Sequence, residues 1–144
     1  MKKIVIYVLY WIWSLTWGIL ITLVGIVAAC GLMVSGHKPK MFYPNIYFTV
    51  GKDWGGVNFG PIFITSKTDF DYVKYHESGH GLQNLIWGPL FPFVIAIPSA
   101  IRYWYRELKY YRKGLTPKTD YDSIWFEGQA TRWGNKVYNR KENN

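Results

Sequence analysis

The sequence His76-Glu77-Ser78-Gly79-His80 has the form His-Glu-x-x-His, and the chain around it can be interpreted outward from this motif. On a helix, residues four positions apart lie on the same face, so both imidazoles can bind one metal ion. Glu77 would then lie beside the metal-bound water, an arrangement typical of zinc metallopeptidases. The alternative is a helix whose two histidines fall four residues apart without binding metal.

The motif is predicted to lie on one helix that covers residues 69–86. Ser66, Thr68 or Asp69 can cap its start, because short polar side chains accept hydrogen bonds from the free N–H groups of a first turn. Glycine followed by proline is a strong signal for a helix end. The helix is therefore expected to stop at Gly88-Pro89.

The first part of the chain has no charged side chain from residue 4 to residue 34. As one helix this run would be about 46 Å long, more than the ~30 Å hydrocarbon core of a bilayer. We therefore predict a transmembrane helix, with residues 1–36 as a membrane anchor. Two alternatives stay open. Lys2 and Lys3 also fit a removed signal peptide, and the residues before Cys30 resemble a lipoprotein processing site that would leave this cysteine lipidated.

Aromatic residues are abundant, with 8 Trp, 12 Tyr and 8 Phe in 144 residues. Trp and Tyr favour the headgroup level of membranes, so this excess indicates contact with a bilayer. The net charge of +8 suits either an anionic membrane surface or nucleic acid. Because long apolar runs separate the basic residues and no nucleic-acid-binding motif is present, we expect membrane lipid as a partner and no nucleic acid.

Between the apolar run and the motif, the sequence changes to a period of two. Apolar residues alternate with others from residue 46 to 50 and again from 57 to 64, and residues 51–56 supply a turn. We therefore predict one β-hairpin made of these two runs. Gly60-Pro61 would mark a bulge or an edge position within the second strand.

Residues 87–101 are again free of charge, but prolines at 89, 92 and 98 interrupt them. A re-entrant or interfacial segment is therefore expected rather than a span. The basic and aromatic residues 102–113 would lie at the headgroup level if helical, although an ordinary solvated helix face is the alternative. We predict a membrane-associated segment around residues 87–105.

A catalytic zinc takes three protein ligands and a water, so one more ligand must follow the motif. Glu142 lies in a polar tail, and Glu107 lies among basic residues with which it can pair. His37 is expected at the membrane interface rather than at the metal. A final helix is predicted from Tyr121 to about Tyr138. The carboxylates in or near it remain as candidates: Asp120, Asp122 and Glu127.

Residues 121–131 resemble the second-helix motif Glu-x-x-Ala-Asp of gluzincin metallopeptidases, of the type that includes the CAAX-prenyl-protease-like enzymes and the compact minigluzincins. Glu127 and Ala130 match this motif, whereas Thr131 stands where the family has an aspartate. In the family that aspartate orients a zinc-binding histidine. A threonine can hydrogen-bond an imidazole but brings no negative charge. The resemblance covers about residues 55–135.

The resemblance implies that Zn²⁺ is held by His76, His80 and Glu127, with Glu77 as the general base. It also places the strand 57–64 beside the active-site cleft. If residues 87–101 crossed a membrane, the histidines and Glu127 would lie on opposite sides, so the zinc site requires this segment to return or to lie along the surface. The donor to the oxyanion stays open between Tyr121 and Arg132.

The expected fold is α+β and mainly helical: a transmembrane helix, then a zincin-like domain over residues 37–144 with a short β-hairpin and an active-site helix. The expected function is a membrane-anchored zinc metallopeptidase that hydrolyses peptides or membrane proteins. The motif's form and Gly88-Pro89 also resemble small bacterial membrane proteins, which indicates the bacterial inner membrane. The alternative is a membrane-anchored zinc-binding or interaction protein without turnover.

Overall fold

A computed structural model describes residues 2–67 and 71–139 of the chain. Within these residues the fold is α+β and mainly helical. The α-helices are α1 (Lys2–Thr16), α2 (Ile19–Val34), α3 (Asp71–Trp87), α4 (Ile97–Lys109) and α5 (Trp125–Gly134). The strands are β1 (Lys40–Phe42), β2 (Asn45–Thr49), β3 (Gly56–Phe59) and β4 (Ile62–Thr65). Short 3₁₀ or π-helical turns cover Gly88–Leu90, Pro92–Ala96, Tyr111–Lys113, Tyr121–Ser123 and Asn135–Asn139.

The predicted transmembrane helix over residues 4–34 is wrong. The run divides into α1 and α2, which are bent by 105° at Trp17-Gly18, and no single helix in the described part of the chain is long and apolar enough to cross a membrane. Glycine weakens a helix interior by about 1 kcal/mol relative to alanine. Here the Asn84 amide also packs where a Cβ of Gly18 would lie, only 2.3 Å away. Contact with α3 therefore sets the bend.

Both N-terminal helices pack on the rest of the fold. Tyr10 on α1 donates a hydrogen bond of 2.7 Å to Asn45 Oδ1, and Gly25 on α2 lies against Phe59 and Ile62. The buried positions fall on one face of each helix, as expected for a helix against a core: Tyr10 and Ser14 on α1, and Ile21, Thr22, Gly25 and Ala29 on α2. The division of the chain at residue 37 stays a prediction.

The sheet has the order β1-β2-β4-β3, so the predicted hairpin between residues 46–50 and 57–64 is wrong. Strand β2 pairs in parallel with β4, while residues 57–64 contain their own antiparallel hairpin of β3 and β4. Gly60 makes this tight turn possible with a φ of 76°. Its N–H donates to Asn58 Oδ1 at 2.7 Å. Strand β3 is consequently an edge strand, and it lies beside α3.

The helix of the motif begins at Asp71 and ends at Trp87, next to the predicted stop. Of the proposed caps, Thr68 and Asp69 lie outside the described residues, and Ser66 lies in the loop after β4. Beyond α3 the chain bends by 118° into the segment that carries α4. The predicted final helix is divided, because α5 begins only at Trp125, after the 3₁₀ turn Tyr121–Ser123.

Candidate metal centre

Helices α3 and α5 cross with their backbones in contact. A Cβ atom on Gly79 would lie 1.9 Å from the carbonyl oxygen of Ala130, and one on Gly134 would lie 1.8 Å from that of Tyr75. Only glycine fits at either point of the crossing. The close approach brings Glu127, one turn before Ala130 on α5, onto the face of α3 that carries the histidines.

The histidines of the motif and Glu127 lie close together. Glu127 Oε2 is 3.0 Å from His76 Nε2 and 3.2 Å from His80 Nε2, and the two Nε2 atoms are 3.2 Å apart. Ligand atoms about 2.0–2.1 Å from a tetrahedrally coordinated zinc ion would lie about 3.3 Å from one another. All three residues are buried, and they can bind a single metal ion.

Glu127 places a negative charge in this buried centre. Burial acts to raise the pKa of its carboxyl group, but hydrogen bonds with His76 and His80 outweigh burial and hold that pKa well below its usual range. Burial conversely acts to lower the pKa of His76, and the hydrogen bond with Glu127 raises it overall. The carboxylate is therefore ionised at neutral pH, as a metal ligand must be. A buried negative charge is stable only beside a positive one, so a cation is expected nearby.

The other ring nitrogen of His76 is held by a chain of hydrogen bonds. Thr131 Oγ1 lies 2.8 Å from His76 Nδ1 and donates to Asp122 Oδ2 at 2.7 Å. Tyr72 donates to the same carboxylate oxygen at 2.6 Å. Since Thr131 gives its proton to Asp122, its oxygen accepts from His76 Nδ1–H and leaves the Nε2 lone pair for a metal.

This chain of hydrogen bonds corrects the expectation for Thr131. The residue brings no charge of its own, but it connects His76 to the carboxylate of Asp122, which the sequence had suggested only as a possible metal ligand. Asp122 lies in the 3₁₀ turn before α5, and its position depends on how that turn folds back. No spacing rule in the sequence could have indicated it.

His80 is held in a different way. Its Nδ1 lies 2.7 Å from Gln83 Oε1, and the amide nitrogen of Gln83 donates to Phe126 O at 2.8 Å and to Gln129 Oε1 at 2.9 Å. The amide oxygen of Gln83 must therefore accept from His80 Nδ1–H, which again leaves Nε2 for a metal. Gln83 thus joins α3 to α5 beside the centre.

Glu77 is also buried, and its carboxyl group lies near His76, His80 and Glu127. Gly56 on β3 makes room for it, because a Cβ there would lie 2.6 Å from Glu77 Oε1. Burial raises the pKa of the Glu77 carboxyl group, while the nearby His76 and His80 oppose the shift. A carboxyl group with a raised pKa is suited to taking up and releasing a proton near neutral pH.

A cavity of about 830 Å³ opens on the centre. His76, Glu77 and His80 line it, and so does the edge strand β3. The remaining walls are largely apolar, and most of them come from α3, α4 and the turns between them, including Phe91, Ile95, Ile97 and Trp104. Ile21 on α2, the loop at Trp54 and Tyr121 complete the lining. In its size and in its small number of polar groups, the cavity is typical of a binding site for a ligand with apolar side chains.

Of the two candidate oxyanion donors, Tyr121 lines this cavity with its ring centroid 6.2 Å from that of His76. Burial raises the pKa of its phenol above the usual range, so it stays protonated and can donate. Arg132 is not among the described residues that line the cavity; its guanidinium group lies near Gly128.

The remaining candidates lie elsewhere. Glu107 pairs with Arg112 at 3.7 Å, and half-buried His37 contacts Ser35. Asp120 presents its backbone carbonyl to Arg102. Glu142 lies outside the described residues.

The basic residues of α4 do not all reach toward a headgroup layer. Arg102 donates two hydrogen bonds to the carbonyl of Tyr121, at 3.0 and 2.8 Å. Arg106 is buried and donates to Thr119 O at 2.9 Å. These two side chains hold the segment 119–123, which carries Tyr121 and Asp122 into the site, a role that sequence reasoning missed.

Comparisons of the chain with protein-family models, curated proteins and solved structures find no match in any of the three. The resemblance to gluzincins rests on the residues quoted above and stays a prediction. The structure itself defines a class of site: a buried centre of two histidines and one glutamate that can hold a metal ion, with a second glutamate beside it.

Proposed function

We propose that the protein is a zinc-dependent peptidase whose centre is His76, His80 and Glu127. One observation carries this proposal: two of the three ligands and the free carboxylate of Glu77 line one large cavity. A structural metal site is usually closed by four protein ligands, whereas a catalytic one keeps a position open for water or substrate. Three ligands beside a cavity favour the catalytic kind.

Zinc is the metal that this donor set fits best. Two imidazole nitrogens and one carboxylate oxygen are the ligands of many catalytic zinc sites, and their spacing here suits tetrahedral bonds. Both imidazoles are also fixed in the tautomer that offers Nε2, by Thr131 and by Gln83. When bound, zinc would lower the pKa of a water and polarise the carbonyl of a substrate.

The residues of the chain would perform the remaining steps. Glu77 would take a proton from the attacking water and pass it to the amine that leaves when the peptide bond breaks. Tyr121 would donate a hydrogen bond to the oxygen that becomes negative in the transition state. The products are a carboxylic acid and an amine, and the water supplies both the hydroxyl group and the proton.

The cavity also favours a kind of substrate. Strand β3 is an edge strand, so an extended peptide could pair with it and lie past Glu77. Side chains of that peptide would meet the apolar walls formed by Phe91, Ile95 and Ile97. We therefore expect peptides with large apolar side chains next to the cleaved bond.

The first experiment is elemental analysis of the purified full-length protein, with His76→Ala and Glu127→Ala as comparisons. About one zinc per chain, lost in both variants, is the expected result. No zinc in the wild type after reconstitution would overturn the proposal. Zinc lost with His76 but kept without Glu127 would mean that the third ligand is wrong.

The second experiment separates an enzyme from a protein that only binds zinc. Unstructured peptides with varied apolar residues are incubated with the zinc-loaded wild type, with Glu77→Gln and with the control Glu107→Gln, a surface change outside the site. Cleavage by the wild type and by the control, but not by Glu77→Gln, is expected. Bound zinc without cleavage in the wild type would instead support the non-catalytic alternative.

A further inference from the structure

Two apolar helix pairs in this fold are sharply bent, and their bends touch. The first pair is α1 with α2, bent by 105°; the second runs from Asp71 to Leu90 and from Pro92 to Lys113, bent by 118°. The indole of Trp17, at the first bend, packs where a Cβ of Gly88 would lie, 2.3 Å away. The two bends therefore form one corner of the molecule.

The backbone at this corner is satisfied by protein groups. Trp13 Nε1 donates to the carbonyl of Leu85 at 2.9 Å, and Trp17 Nε1 donates to that of Ile86 at 3.3 Å. These carbonyls belong to the last turn of α3, and the carbonyl groups of a last turn have no hydrogen-bond donors within their own helix. A helix end on a surface exposed to water would not need such donors, but a helix end in hydrocarbon would.

Several side chains at or next to the two bends are large, apolar and exposed. We call them the corner patch: Trp13 (54% exposed), Trp17 (47%), Ile86 (59%), Leu90 (56%) and Phe93 (65%). The sequence has no Asp, Glu, Lys or Arg from residue 4 to 37 or from 78 to 101. An exposed patch of this kind marks an interaction site on a protein surface.

Basic residues lie at three of the four far ends of the two bent helix pairs, and the fourth, the start of α3, carries both Asp71 and Lys74. Lys2 and Lys3 begin α1, and Lys38 and Lys40 follow the end of α2. Arg112 and Lys113 follow α4. Helices α1 and α2 have 15 and 16 residues, so with a 105° bend the corner extends about 18 Å beyond the line that joins their far ends. This distance is more than half of a hydrocarbon core of ~30 Å.

We propose that the corner patch inserts into an anionic lipid bilayer from one side, without crossing it, and that the basic ends stay among the headgroups. Charge decides between this partner and a second copy of the chain. Two copies with a net charge of +8 each repel one another, whereas anionic lipid attracts each basic residue near the surface. The proposal does not depend on metal or on catalysis.

The segment between the bend and α4 connects this surface with the cavity. Leu90, Phe93 and Ile97 are exposed, while Phe91 and Ile95 between them are buried and line the cavity. One thin segment is thus both the outer surface of the corner and a wall of the cavity. Insertion would bring the cavity to the level of the membrane surface.

The test compares two double variants in flotation with vesicles. Leu90→Asn with Phe93→Asn removes two apolar groups of the patch without changing charge, and Met41→Asn with Leu115→Asn is the matched control at exposed positions elsewhere. On vesicles of phosphatidylcholine with phosphatidylglycerol we expect the patch variant to bind at least about 100-fold more weakly, since two large apolar side chains that would leave water on insertion are removed. We expect the control to bind like the wild type. Equal binding of both variants would overturn the proposal, and so would equal binding of the wild type to vesicles of phosphatidylcholine alone.

A fluorescent label measures the depth of insertion. The single cysteine, Cys30, is replaced by serine, and a cysteine for an environment-sensitive dye is introduced by Leu90→Cys or, as the control, by Leu115→Cys. Vesicles should shift the emission to the blue, and brominated lipid should quench it, only for the label at position 90. A label at 90 that stays in water on bound protein would overturn the proposal. A lipid-free dimer that the patch variant abolishes would do the same in favour of a second copy.

Discussion

The two histidines of the centre have the same role but different supports. The Nδ1 of His76 leads through Thr131 to the carboxylate of Asp122, which Tyr72 connects to the surface. The Nδ1 of His80 leads to the neutral amide of Gln83, deep between two helices. The support of His76 thus supplies a negative charge through an intervening residue, and the support of His80 supplies rigid packing.

This difference shows that orientation and charge can come from separate places. Either support fixes the tautomer, because both oxygens accept from Nδ1–H. Only the support of His76 adds negative charge that makes the imidazole a more basic ligand. We therefore expect changes at Gln83 to act mainly through structure and changes at Asp122 mainly through metal affinity.

The largest effect should come from the group that both histidines share. Glu127→Ala removes the carboxylate that contacts His76 and His80, and we expect it to weaken zinc binding more than 100-fold, beyond the 10–100-fold range of outer-shell changes. Isothermal titration calorimetry measures the affinity, and circular dichroism confirms that the variant is folded. A folded variant that kept wild-type affinity would contradict the assignment.

The second largest effect is expected at the crossing of α3 and α5, because a change there disturbs the supports of both His76 and His80. Gly79→Ala places a methyl group 1.9 Å from the carbonyl oxygen of Ala130. We expect it to reduce the free energy of unfolding by about 1–3 kcal/mol or more and to weaken zinc binding, as overpacking does.

Gly31→Ala is the matched control for that variant, because the same methyl group meets nothing within 4 Å on α2. This change should be neutral or stabilise the protein by up to about 1 kcal/mol. Denaturant unfolding measures both variants. Equal stability of the two would mean that the helices do not touch at Gly79.

Gln83→Ala tests the packed side. It removes the acceptor of His80 Nδ1–H, and it removes the side-chain donor to buried Phe126 O and to half-buried Gln129 Oε1. We expect a loss of about 1–3 kcal/mol of stability even without metal. If the variant changed zinc affinity alone, with the metal-free protein as stable as the wild type, the structural role of Gln83 would be wrong.

Asp122→Asn tests the charged side, where the smallest effect is expected. The substitution keeps the shape but removes the charge, so zinc affinity should fall by about tenfold with little change in the stability of the metal-free protein. Adding Thr131→Asp puts a carboxylate directly beside His76 Nδ1 and should restore most of the affinity. Competition with a chromogenic chelator measures both variants. If the Asp122→Asn protein bound zinc as tightly as the wild type, the charge of Asp122 would have no role in the metal affinity of His76.

The sequence predicted those parts of the centre that depend on local spacing. The two histidines lie on one helical face because residues four apart always do, and Glu127 followed from the resemblance of the second helix. Asp122 could not be predicted as a support, because its distance to Thr131 depends on the turn before α5 and on the two arginines of α4 that hold that turn.

The fold was harder to predict at the N-terminus and in the sheet. A charge-free run has the same composition whether it forms one straight helix or two helices joined at a bend. Here the chain bends at Gly18, where it contacts Asn84. Alternation likewise identifies strands but not their partners. The turn at Gly60 folds the second run on itself, so β2 pairs with β4 in parallel.

The centre joins two helices that are far apart along the chain, and this has a consequence for the mechanics of folding. His80 and Glu127 are separated by 47 positions, so an ion that binds both would act as a reversible cross-link that closes a loop of that length. The chain-entropy relation used for disulfides gives such a closure about 4 kcal/mol of stabilisation at 25 °C. That loop includes the second bend and the outer segment of the cavity, so removal of the ion would lower the free energy of unfolding of this whole part of the fold as well as empty the centre.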